Sequence, residues 1–164
     1  MNSGGKSGMK KLTGISLLLL MSVLASAAFA RPRPEIMGIS LDMKRDEALA
    51  RLKSIGTLEK ETQKRQEVWA VRDARISHLL VGYDAENHVR YVTAIARTDG
   101  PRIRYQEVAD VKSAQRSVAP GNHKFTWEVE ERRGQSGFIL IARGHDAQYL
   151  DSYSVKKKDQ EEID

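Results

Sequence analysis

The chain of 164 residues contains no cysteine. That absence excludes a disulfide framework and thiol chemistry, so stability must come from an ordinary apolar core. It also excludes a bacterial lipoprotein anchor, which needs a cysteine after the signal. A recognisable catalytic constellation is missing too. His78, His88, His123 and His145 are scattered, with none of the pair spacings that metal sites use. His145 and Asp146 are adjacent, but neighbours on a strand point to opposite faces, so they read as turn chemistry rather than a preformed dyad. Gly134-Gln135-Ser136-Gly137 lacks the five-residue spacing of a nucleophile elbow. Ser3 to Lys6 mimics a Ser-x-x-Lys motif in a segment expected to be removed. No residue is nominated as catalytic, metal-binding or cofactor-binding.

What is present begins with an export signal. Lys10 and Lys11 form a positive n-region, Ile15 to Ala25 an apolar core, and Ala28-Phe29-Ala30 the small-x-small pattern that signal peptidase reads. Residues 12–30 approach the roughly 20 residues of a membrane span. Interspersed serines, Thr13 and Gly14 argue instead for cleavage, giving a periplasmic or secreted chain that starts at Arg31, with no span and no lipid anchor. Cleavage removes Lys6, Lys10 and Lys11 and no acid, so the net charge of +5 falls by three. The remaining charges are intermixed and give no basic stripe of the kind nucleic acid requires. Lys156-Lys157-Lys158 is followed by Glu161, Glu162 and Asp164, and residues 158–164 read as a solvated tail.

The mature chain opens with Arg31-Pro32-Arg33-Pro34, and residues 31–37 are an extended leader. Ala48, Leu49, Leu52 and Ile55 then fall at helical spacing, with Asp46 and Glu47 in the first turn and Gly56 as a C′ stop. Thr57 to Gln66 is a polar connection. Alternation around Trp69 and Val71, then Leu79, Val81 and Tyr83, then Val89, Tyr91, Thr93 and Ile95, predicts three antiparallel strands. The turn cluster Thr98 to Arg102 is the most plausible internal boundary. Beyond it the pattern predicts a short helix at Tyr105 to Ala109, a loop to His123, and strands at Phe125 to Val129, Phe138 to Ala142 and Tyr149 to Val155.

The stretch from Gly38 through Trp69 to "LLVGYDAENHVRYVTA" resembles the BamE-like (SmpA/OmlA) family of small outer-membrane-assembly proteins. Met43, Asp46 and Glu47 match its helix start, Leu52 and Gly56 its helix end, Trp69 its first strand, and Val81, Tyr83, Asp84 and Val89 its hairpin. Lys44 stands where that family has a capping Ser or Thr, leaving Asp42 as the alternative cap, and Asn87-His88 replaces a turn glycine. The β-lactamase inhibitory proteins build the same helix-plus-sheet unit in tandem. Over residues 38–97 the resemblance implies an α+β fold with helices packed on one face of an antiparallel sheet. Residues 103–157 form either a second, degenerate repeat of that module or an extension of it.

Trp69 and Trp127 each head an alternating strand and are expected in the core. Tyr91, Tyr149 and Tyr153 lie among polar neighbours and are the candidate partner-binding residues. The expected function is non-catalytic recognition of another protein or an envelope component through a sheet face or hairpin tips. A purely structural envelope component is the rival reading, and a hydrolase the third.

Overall fold

The computed structural model describes residues 31–62, 65–131 and 136–158. Residues 1–30, which hold the expected signal, residues 132–135 of the Gly134–Gly137 region and the tail beyond Lys158 lie outside the described residues. Fifteen elements follow in chain order. The leader contributes β1 (Glu35–Ile36), which turns through Met37 and Gly38, both at positive φ, to pair with β2 (Ile39–Ser40). Helix α1 (Arg45–Ile55) leads into the meander β3 (Gly56–Thr62), β4 (Gln66–Val71), β5 (Ile76–Tyr83) and β6 (Val89–Ala96). The second half runs β7 (Ile103–Arg104), α2 (Tyr105–Val108), a 3-10 turn (Val111–Ser113), β8 (Gln115–Ala119), β9 (Asn122–Val129), β10 (Phe138–Gly144), β11 (Tyr149–Leu150) and β12 (Ser152–Lys157).

Eight strands form one antiparallel sheet in the order β3-β4-β5-β6-β12-β10-β9-β8. Each half of the chain supplies four of them, and the last strand of each set meets at the centre, where Val155 faces Val92 and Tyr153 faces Ala94. Register fixes which side chains share a face, since cross-strand partners project together. Trp69, Leu79, Ala94, Val81, Val92, Val155, Leu140 and Trp127 all fall on one side. Ile36 and Ile39 of the β1–β2 hairpin, Ala48 and Leu52 of α1, and Tyr105 and Ala109 around α2 close over that side into one core. Trp69 and Trp127 are both buried, at 2% and 3% exposed.

Two expectations are corrected here. Among the described residues the chain is 53% strand and 15% helix, so it is predominantly antiparallel β rather than an α+β fold with helices packed on a sheet. The BamE-like and β-lactamase-inhibitory-protein-like fold, with its degenerate tandem of such modules, is therefore not supported. The physical reason lies at the two sheet edges. The "polar connection" after the first helix is β3, and much of the "loop" before His123 is β8. Edge strands exposed on both faces carry no apolar alternation, so nothing in their pattern marks them. The second helix shrinks to four residues because Ala109, its C-cap, is already extended.

Local details follow the same logic. Gly56 does not stop α1 in a left-handed conformation; it is extended, and a Cβ there would meet Ala70 O at 2.3 Å, so β3 and β4 approach closely only because it is glycine. Lys44 is the N-cap without a side-chain cap bond, and Asp42 instead adopts φ 65 and pairs with Lys157 of β12. Asn87 sits at φ 61, the conformation its turn demands in place of glycine.

Candidate functional site

The sheet's other face is set by the alternate residues of the same strands. One cross-strand row on it reads Val68, Leu80, Thr93, Ser154, Ile141, Thr126, and the next reads Ala70, His78, Ile95, Ser152, Arg143, Lys124. Tyr91 and Ile139 lie in a third row, with Lys156 between them. None of Val68, Leu80, Tyr91, Ile95, Ile139 and Ile141 belongs to the core cluster or packs against it, and Ile95 is 37% exposed. The covering segments sit on the opposite side, so among the described residues this apolar band faces outward without a second layer. Antiparallel sheets with one solvated face ordinarily alternate apolar with polar. Here the outward set of the central strands is mixed: Leu80, Tyr91 and Ile95 lie on β5 and β6, Ile139 and Ile141 on β10, and β12 sets Ser152, Ser154 and Lys156 between the two groups.

Cations outnumber acids on this face. Arg143 and Lys124 stand directly opposite each other across β10 and β9, an arrangement that like charges disfavour. Lys60, opposite Val68, and Lys156, opposite Tyr91, add two more cations. None of these four has an acidic partner among the described residues. Two acids share the face: Glu59 lies 3.1 Å from the His78 ring, and Glu128 meets Lys158 at 3.6 Å.

The three tyrosines singled out from the sequence are separated by the fold. Tyr91 lies on the outward face, its ring stacked over Gly82, where a Cβ would come within 2.1 Å of it, and its hydroxyl donates to Gln66 Oε1 at 2.6 Å. Burial pushes its pKa up. Tyr149 lies elsewhere, on the small β7–β11 pair, with Arg102 at 4.2 Å and Arg104 at 5.7 Å from its ring centroid. Tyr153 faces the core side and lines a cleft of 420 Å³ with Arg31, Arg33, Asp73, Arg75 and Glu107. Arg75 and Glu107 pair with each other in that cleft at 2.6 Å.

Two polar clusters lie apart from the outward face. Glu67 is 1% exposed and fully engaged: Arg45 Nη2 donates to Oε1 at 2.7 Å, while Trp69 Nε1 and the Tyr83 hydroxyl donate to Oε2 at 2.9 and 3.1 Å. Burial, and then the neighbouring Glu67 carboxylate, hold the Tyr83 hydroxyl well above its ordinary pKa. With Arg45 Nε, which donates to Oε1 at 3.2 Å, four donors on one carboxylate make a satisfied structural network. His145 does not pair with Asp146. Its Nδ1 contacts Asp151 Oδ2 across the turn, while Asp146 caps the backbone of Gln148 and Tyr149 and meets Arg102 at 3.0 Å. The His145 side chain is 85% exposed. Among the described residues, no three His, Asp or Glu side chains gather as a metal site, and no helix is long and apolar enough to cross a membrane.

The residues that sequence reasoning missed are Leu80, Ile139, Ile141, Lys124 and Arg143. A signal for the isoleucines was present: Phe138 to Ala142 is apolar at every position, and in an antiparallel sheet with one open face that run must put apolar side chains outside as well as inside. No family model, curated protein or solved structure matches this chain.

Proposed function

We propose that this is an exported, non-catalytic recognition protein that binds an acidic protein surface of the cell envelope through the outward face of its sheet. The observation that carries the reading is the coexistence there of six outward apolar residues with four cations that have no acidic partner among the described residues. A solvated face needs neither. Apolar residues left on an uncovered sheet face mark an interaction site, and an excess of charge of one sign steers and selects a complementary partner. The apolar band argues for a protein rather than a nucleic acid, whose backbone would be met by a basic stripe without interleaved isoleucine and leucine. Tyr91 belongs to this surface; Tyr149 and Tyr153 do not.

The test is site-specific photocrosslinking in cells. A crosslinker at Leu80 or Ile141 is expected to trap a discrete envelope protein, and one at Lys53, exposed on α1, is expected not to. Equal trapping at both places, or trapping of nucleic acid, contradicts the reading.

A further inference from the structure

The two edges of the sheet are built differently. At β3 the register with β4 slips between Leu58 and Lys60, and Glu59, Lys60 and Glu61 crowd the strand with charge. A bulge and charges are the usual means of preventing a further strand from pairing. The β8 edge has no bulge and a single charge. Its five residues keep uninterrupted register with β9, Arg116 is its one charged residue, and Val118 is 55% exposed.

The turn between β8 and β9 fixes which backbone groups are free. Pro120 and Gly121, the latter at φ 65, connect Ala119 directly to its cross-strand partner Asn122. That two-residue connection makes Ala119–Asn122 the closing hydrogen-bonded pair, and pairs then alternate along an antiparallel ladder. Gln115, Ser117 and Ala119 therefore bond inward to β9, while the N–H and C=O groups of Arg116 and Val118 point away from the sheet. Arg116 projects on the core side, with its guanidinium 5.5 Å from the centroid of Phe125. Lys124 stands beside Ser117 on the outward face.

Resting on the reading of the outward face as a protein-binding surface, we infer that β8 is where an extended acidic segment of the partner docks as a ninth strand. The backbone groups of Arg116 and Val118 supply the ladder. The side chains set the chemistry, an acid opposite Arg116 and an apolar residue opposite Val118, with a further acid over Ser117 toward Lys124. A second copy of this chain fits less well, because pairing β8 with itself gathers two sets of Arg116 and Lys124 at one seam.

The test uses the chain with its signal segment removed and a hairpin peptide presenting Thr-Val-Glu-Glu-Thr as its free strand, which antiparallel docking places with Val on Val118 and Glu on Arg116. Titration is followed at the Arg116 and Val118 amides by NMR and by their hydrogen exchange. The expected result is selective shift and protection of those two amides, roughly tenfold weaker binding when both Glu are replaced by Lys, and loss with Val118→Pro, which removes an outward donor from an edge that tolerates proline. Arg116→Glu gives an independent check, weakening the Glu peptide and restoring the Lys peptide. No change at those amides at millimolar peptide, equal binding of the Lys peptide, or dimerisation through β8 without peptide overturns the inference. Leu80→Glu separates the two claims: it leaves peptide docking at β8 intact while abolishing the trapping expected of the outward face, so either can fail alone.

Discussion

Glu67 shows how one residue can govern a region of this fold. Its carboxylate is almost inaccessible and is matched by the Arg45 guanidinium, the Trp69 indole and the Tyr83 hydroxyl. Arg45 is partly exposed and keeps its pair with Glu61, but Glu67→Ala strands the buried Trp69 indole and Tyr83 hydroxyl without an acceptor, so it is expected to cost about 2–4 kcal/mol in denaturant unfolding. Tyr83→Phe, which removes one neutral donor, should cost about 1 kcal/mol. The network was not legible in the sequence, because Glu67 occupies a core-facing position that the alternation of Trp69 and Val71 assigns to an apolar residue. Acid sensitivity has a different residue-level origin. Asp73 is held below its ordinary value of 3.8 chiefly by the Arg75 amide, and Glu107 below 4.5 chiefly by the Arg104 amide. A carboxylate lowered in the folded state stabilises above its unfolded pKa, and that contribution disappears as pH falls through the folded value. Stability measured by thermal melts should therefore decline below about pH 4, and Asp73→Asn should be less stable at neutral pH but lose less on acidification.

At the level of elements, what could be read from the sequence was governed by where each strand lies. Central strands carry a clear period-two pattern with Leu79, Val81, Phe125 and Trp127 inward, and these were legible. The edge strands were not, since Glu59 to Glu61 and Gln115 to Ser117 meet water on both sides. Helix α1 was legible because Ala48 and Leu52 must face a core, whereas α2 has only Tyr105 to anchor it and ends within a turn. The outward face was half legible: Tyr91 was singled out from the sequence and lies on it, but Leu80 and Ile141 were hidden because their exposure depends on which face remains open. Trp69 and Trp127 occupy the second strand of their respective four-strand sets and are buried in one continuous core. Trp69→Ala and Trp127→Ala should each cost about 3–5 kcal/mol, with a single shared unfolding transition in both variants. A variant in which Trp127→Ala melts only the second half would show that the halves are energetically separate.

The described residues are built around one eight-stranded sheet with a closed side and an open side. The closed side uses the β1–β2 hairpin, so the leader after the expected cleavage point is part of the fold: Ile36 is 2% exposed and Arg31 and Arg33 line the cleft. Export predicts that protein recovered from a cell-envelope preparation has lost its first thirty residues, with a mass that begins at Arg31. Recovery of the intact chain in the membrane fraction would contradict it. The open side carries the central claim, that its apolar and basic residues serve a partner and not the fold. The most direct measurement compares the wild type with Leu80→Glu and Ile141→Glu, each followed both by thermal unfolding and by recovery of the photocrosslinked envelope partner. Both positions are half-buried in central strands but outside the core, so the substitutions should cost no more than about 1 kcal/mol while partner recovery is lost. Stability losses on the scale of the tryptophan variants, or undiminished recovery of the partner, would contradict the account.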